Sequence, residues 1–160
     1  LEKISNINHI DIISAKDMND KMNKLLKENK YDMIFMAAAV ADYSPKETSE
    51  NKIKSNEETL HLNLNKNIDI LKNIKKYKTL KIGFALETEN GVENAKEKMK
   101  SKGLDYIILN YANEDNAGFD SDTNHLYLFS KNGYQKEFEM DTKNRLSKQL
   151  IHTIYNEEYN

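Results

Sequence analysis

YDMIFMAA, residues Tyr31 to Ala38, is a continuous apolar run of strand length, the pattern of a strand covered on both faces. Before it, Ile7, Ile10, Ile12 and Ile13 mark a short strand. Ser14 or Asp17 then caps a helix that carries Met18, Met22, Leu25 and Leu26 at helical spacing. After it, Leu60, Leu62 and Leu64 alternate with His61, Asn63 and Asn65, which predicts a half-buried strand. Asp69 to Tyr77 reads as a short helix and Leu80 to Leu86 as another apolar strand. Val92, Ala95 and Met99 share one face of a helix ending near Gly103, and Tyr106 to Leu109 is again of the buried-strand type. Asn132-Gly133, between LYLF and YQKEFEM, is a hairpin signal. Leu146, Leu150, Ile151, Ile154 and Tyr155 define one face of a C-terminal helix capped by Asp141 or Thr142. Strand–helix alternation through Asn110 predicts an α/β domain, Rossmann-like, with a mostly parallel sheet, helices on both faces and an antiparallel hairpin at one edge.

Composition narrows the function. The 160 residues make a single domain, large enough to bury roughly 70% of its unfolded surface. With 24 Lys+Arg against 26 Asp+Glu the net charge is -2, without the basic excess a general nucleic-acid binder needs. The absence of Cys removes thiol catalysis, disulfides and Cys-ligated metal centres. No apolar run approaches the ~20 residues of a membrane-spanning helix, and no signal-peptide pattern opens the chain, so the expected location is the cytoplasm, away from membranes.

In parallel α/β sheets ligands sit beyond the carboxyl ends of the strands. The segments there are Ala38 to Lys54, Glu87 to Gly91 and Tyr111 to Asn124, and they hold the unusual polar sequences. Ala37-Ala38-Ala39-Val40-Ala41-Asp42 places small residues and then a carboxylate at a strand end, suited either to close backbone approach by a ligand or to tight helix packing. Lys52 and Lys54 point the same way in an extended chain, as phosphate clamps do and as a solvated basic turn does. Lys98 and Lys102 share a helix face near its C-terminus, where the helix dipole alone would favour them. Asp69 is most simply an N-cap. His9, His61, His125 and His152 show no ligand spacing, and GxGxxG, GxxxxGK[ST] and GxSxG are all missing.

In this order, AAAVADYSP, KIKS, NIDIL, GFALETEN and LNYANEDNAGFDSDTN resemble the phosphopantothenoylcysteine synthetase (phosphopantothenate–cysteine ligase) family, the second half of the bacterial bifunctional coenzyme A biosynthesis flavoprotein. The resemblance runs from about Ile7 to Tyr155, and GFALETEN is similar to the bacterial form, which uses CTP. It implies that Met36, Ala37 and Ala38 meet the nucleotide, and that Asp42 lies near the triphosphate and its Mg²⁺ as metal ligand. It implies that Lys52, the first lysine of a KxKK motif, is catalytic in forming the activated intermediate and also binds nucleotide. Ile68, Asp69, Ile70 and Leu71 match a PDIL turn holding the nucleoside, Phe84 matches the Phe of GFAAET, and Lys98 and Lys102 match two further CTP contacts.

The sequence departs from the family at Ser55, in place of the last Lys of KxKK, and at Ile68, in place of a Pro. The family's Gly-rich turn and its ISNxSSGKMG segment, which carries a catalytic Asn, precede the matched region, so the expectation is a single ligase domain over 1–160 lacking that segment. The implied reaction joins 4′-phosphopantothenate and cysteine through an acyl-cytidylate, with a homodimer formed through this domain and FMN present only if a decarboxylase domain is fused upstream. The 41–59 stretch reads as a flap over the nucleotide. The competing readings are a non-catalytic nucleotide-binding or dimerisation fragment and a dinucleotide-binding oxidoreductase, the latter lacking its Gly-rich turn.

Overall fold

The computed structural model describes residues 6–47, 49, 51–54, 59–114 and 121–160. The chain divides into two compact units, one of Leu1–Asn29 with Ala39–Ile74 and one of Lys30–Ala38 with Lys75–Asn160.

The first unit holds α1 (Ala15–Glu28), β2 (Tyr43–Pro45), β3 (Leu64–Lys66) and α2 (Ile70–Ile74). Ser14 caps α1: its hydroxyl accepts from the Asp17 amide, while the Asp17 carboxylate accepts from the Ile13 amide at 3.2 Å. The first bond satisfies one of the donors a helix start leaves open, and the second pins the residue before the cap. Asp17 is thus a first-turn partner rather than the cap. The strand expected over Ile7–Ile13 does not form: these residues lie outside any strand and Ile13 is 99% exposed. Their apolar spacing follows no period of two, and they have no ladder partner among the described residues.

β2 and β3 form an antiparallel ribbon pairing Tyr43 with Lys66 and Pro45 with Leu64. β2 therefore lies inside the 41–59 stretch read as a flap. The strand read over Leu60–Leu64 is shorter and later than expected, and it is not half-buried: Leu60, Leu62 and Leu64 are 63%, 61% and 53% exposed. Alternation specifies an apolar face without specifying a cover. α2 packs against α1, where the Asn73 side-chain amide donates to Asn19 Oδ1 at 2.9 Å.

The second unit is a five-stranded sheet in the order β1 (Met33–Met36), β4 (Leu80–Glu87), β5 (Tyr106–Tyr111), β6 (Thr123–Ser130), β7 (Gln135–Thr142), with α3 (Gly91–Lys102) and α4 (Lys143–Tyr159). β1–β4 and β4–β5 are parallel, and β5–β6 and β6–β7 are antiparallel. The sheet is thus evenly mixed rather than mostly parallel, with the expected hairpin at one edge. β1 is the other edge, and Phe35 is 37% exposed there, so the opening apolar run is only partly covered.

Ile82, Tyr106, Ile108, Leu126, Leu128 and Phe138 pack with Leu146, Leu150 and Ile154 of α4 in one cluster. The alternate residues Ala85, Ile107, Leu109 and Phe129 are buried as well, and α3 packs on β4 and β5. Thr142 caps α4, with its hydroxyl accepting from the Arg145 amide. Ile151 and Tyr155, expected on the buried face, are 51% and 53% exposed, because Thr153 occupies the buried position between Leu150 and Ile154. Gly103 ends α3 at φ 68°, where its lack of a Cβ is required. In the hairpin, Gly133 at φ 94° takes the left-handed position.

Candidate functional site

Each unit carries part of the predicted site. In the first, Asn67 is the organising residue. Its side-chain amide donates to the Ala41 carbonyl at 2.8 Å, its side-chain oxygen accepts from the Ser44 hydroxyl at 2.7 Å, and its backbone N–H donates to the Asp42 carbonyl at 2.7 Å. These bonds hold the ADYS segment against the start of NIDIL, so Asp42 stands beside Ile68, Asp69, Ile70 and Leu71. Asp42 itself is exposed. Asp69 caps α2 by accepting from the Lys72 amide at 3.2 Å, and Ile70 is buried while Ile68 is 40% exposed. An anchored turn followed by an exposed apolar residue can hold a flat heterocycle by stacking and backbone hydrogen bonds. Lys52 and Lys54 are exposed and lie in no helix or strand. Ser55 lies outside the described residues.

In the second unit, Met36 is buried at the carboxyl end of β1 and pairs in register with Gly83 of β4. Ala37 and Ala38 follow it, exposed, and Phe84 is half-buried on the adjacent strand. Lys98 of α3 is half-buried and donates from Nζ to the Phe84 carbonyl at 2.8 Å. That bond uses one of the ammonium's three donors and fixes its charge beside mid-β4, next to the register position where β1 ends. Lys102, one helical turn on, is half-buried.

The loops after β4 and β5 are tied together. Ala112 N–H donates to the Glu87 carbonyl at 2.9 Å, and the Asn94 side-chain amide donates to the Glu87 carboxylate at 2.8 Å. Asn90, at the start of α3, takes φ 53°. Met36, Ala37, Ala38, Phe84 and Lys98 are therefore brought together in this unit, and Asp42 with Ile68–Leu71 in the other. Among the described residues no group of three or more His, Asp or Glu is arranged to hold a metal ion. An exposed single carboxylate such as Asp42 suits Mg²⁺ carried on phosphates, since that ion keeps most of its shell from water and phosphate oxygens.

Sequence reasoning missed Ser44 and the interlocking role of Asn67, because their bonds join residues 23 and 26 positions apart. It also missed His125, whose two ring nitrogens meet Glu114 at 3.0 Å and Glu137 at 2.9 Å.

A five-stranded mixed sheet with Lys98 held beside β4, and a turn anchored by Asn67, define an α/β domain. The chain matches the DNA/pantothenate metabolism flavoprotein C-terminal domain over residues 1–157, and it belongs to that family. It is 38% identical over 151 residues to a cysteine/cysteine sulfinic acid decarboxylase from an unknown prokaryotic organism, covering 92% of this chain and 42% of that protein. It is 33% identical over 147 residues to the coenzyme A biosynthesis bifunctional protein CoaBC of Bacillus subtilis, covering 91% of this chain and 36% of that protein. The chain thus spans well under half the length of these relatives. The crystal structure of the C-terminal domain of a coenzyme A biosynthesis bifunctional protein CoaBC superposes with a TM-score of 0.74 at 28% identity, over 96% of this chain and 67% of that one. Among the described residues no helix is long and apolar enough to cross a membrane.

Proposed function

We propose that this domain is the phosphopantothenate–cysteine ligase of coenzyme A biosynthesis, a Rossmann-like domain that activates a carboxylate with CTP. The carboxylate of 4′-phosphopantothenate attacks the α-phosphate of CTP and pyrophosphate leaves. The amine of cysteine then attacks the acyl carbon, an amide forms, and CMP departs. The observation that carries the reading is the match to the flavoprotein C-terminal domain along almost the whole chain.

Such displacement asks the protein for alignment and charge neutralisation rather than covalent chemistry. Lys98 is held by the Phe84 carbonyl of β4, so its charge is positioned before any phosphate arrives. Lys102 adds a second cation on the same helix. Lys52, on an exposed segment, reaches the α-phosphate as negative charge builds there. The Asn67-anchored turn receives the nucleoside through Ile68–Leu71, and Asp42 would help hold Mg²⁺, which would supply charge neutralisation to the triphosphate.

The exposed apolar side chains of Tyr43, Leu60, Leu62 and Leu64 on and beside the β2–β3 ribbon support a homodimer formed through this region. The reaction is tested by following pyrophosphate release from the full-length protein with 4′-phosphopantothenate, cysteine and each nucleoside triphosphate in turn. CTP-dependent release that requires phosphopantothenate is the expected result. Carbon dioxide released from cysteine without pyrophosphate would replace this reading with the activity named for the decarboxylase relative.

A further inference from the structure

His125 lies on β6 where the β6–β7 ladder shifts register between Asn124 and Leu126. Its Nδ1 is 3.0 Å from Glu114 Oε1, on the segment leaving β5, and its Nε2 is 2.9 Å from Glu137 Oε1, on β7. A neutral imidazole carries one N–H, so it can donate to only one of two carboxylates; both contacts are hydrogen bonds only in the doubly protonated ring. The ring is also tilted against Tyr127 at 4.7 Å between centroids, and Tyr127 packs edge-on to Tyr111. The groups facing His125 are thus Glu114 from beyond β5, Glu137 from β7, and the phenol of Tyr127, which packs on Tyr111.

The two carboxylates differ. Glu114 is 28% exposed, and its second oxygen is buried without a partner among the described residues, so it depends on the ring for compensation. Glu137 is 52% exposed and can turn to water. We infer that His125 is a proton-operated latch: as an imidazolium it ties the segment leaving β5 to β7, and on losing a ring proton to solvent it keeps Glu114 and releases Glu137. The latch stands apart from the proposed ligase chemistry and does not depend on it. Burial lowers the imidazole's proton affinity, but the bonds to Glu114 and then Glu137 outweigh it and raise the pKa above the ordinary 6.5. The latch's contribution to stability is therefore complete below pH 6.5 and is lost as pH rises through the raised value.

The test is an NMR titration of the full-length protein that follows the His125 ring and the Glu137 side-chain carboxyl carbon. The expected result is an imidazole midpoint above 6.5 with the Glu137 carboxyl carbon moving at that same midpoint. Glu137→Gln should weaken proton binding by about two- to fivefold, the range of a partly exposed charge pair, and Glu114→Gln by more. Glu137 is on the surface side, so its variant reads out the latch even if Glu114→Gln does not fold. A ring titrating at or below 6.5, or a Glu137 carbon that ignores its titration, overturns the proposal.

Discussion

Gly83, in the middle of β4, offers the sharpest test of how the sheet is packed. A methyl group on its Cα would lie 2.5 Å from Leu104 Cδ1, 3.5 Å from Cδ2 and 3.6 Å from Cγ. Carbon atoms rest about 3.5–4.0 Å apart, so Cδ1 must retreat by about 1 Å. Leu104 is 3% exposed, and its backbone is held by the Gly103 turn and by its own N–H bond to the Met99 carbonyl at 2.9 Å. The retreat must come from its side chain within a filled space, at about 1–3 kcal/mol. Alanine's better fit to a strand returns about 0.5–1 kcal/mol. Gly83→Ala should then lose about 0.5–2 kcal/mol, and a domain of this size melts about 2–4 °C lower per kcal/mol. Leu104→Ala alone should lose about 2–5 kcal/mol by opening a cavity. In that background the new methyl fills part of the cavity, so the double variant should be more stable than the sum of the two losses predicts. Urea denaturation of the four proteins measures the coupling. A Gly83→Ala protein as stable as wild type, or losses that add within about 0.5 kcal/mol, would refute the reasoning.

In the complete enzyme, Lys52→Gln should slow cytidylate formation by about ten- to a hundredfold or slightly more, since a charged hydrogen bond is worth about 1.5–3 kcal/mol and each ~1.4 kcal/mol is a decade in rate; single-turnover pyrophosphate release measures it. Lys98→Met should weaken CTP binding by about tenfold in calorimetry and, by taking the Lys98 donor from the Phe84 carbonyl in mid-β4, should cost about 1 kcal/mol of stability. Tyr106→Phe removes the 2.7 Å bond from the buried phenol to Glu158 and should lower stability by about 1–2 kcal/mol near neutral pH. Burial, and next Glu158, raise the Tyr106 pKa above its ordinary 10.0. Its contribution is complete below pH 10.0 and is lost as the unfolded phenol ionises above it, so alkaline denaturation curves should decline less steeply for the Phe variant.

The central strands were legible in the sequence for a physical reason. Ile82–Ala85 of β4 and Tyr106–Leu109 of β5 are covered on both faces, so selection for packing acts on every one of these positions and leaves a short uncharged run in each strand. Gly103 and Gly133 were legible because a left-handed backbone admits few other residues. Elsewhere, apolar pattern and burial part company. Ile7 to Ile13, Leu60 to Leu64, Ile151 and Tyr155 are apolar and exposed, and pattern reports only that a side chain avoids water, not which surface covers it. Met18, Leu25 and Leu26 were readable as a face of α1 because an N-cap serine and a first-turn aspartate fix where that helix begins.

The candidate site divides along the same line. Charged residues such as Lys52, Lys98 and Asp42 were picked out by type and by resemblance, which local sequence can carry. The bonds that position them were not. Lys98 is held by a carbonyl 14 residues away, and Asp42 is aligned through Asn67, whose side chain grips the chain 26 residues earlier. Such contacts follow from tertiary folding, and an asparagine in NIDIL looks like any turn residue until both ends of its amide are seen to be engaged. His125 extends the point. Its sequence neighbours show no ligand spacing, yet the strand pairing carries Glu137 and the β5 exit carries Glu114 to its two nitrogens. A titrating group is therefore best recognised by which atoms face each of its protons, and that is a property of register rather than of composition.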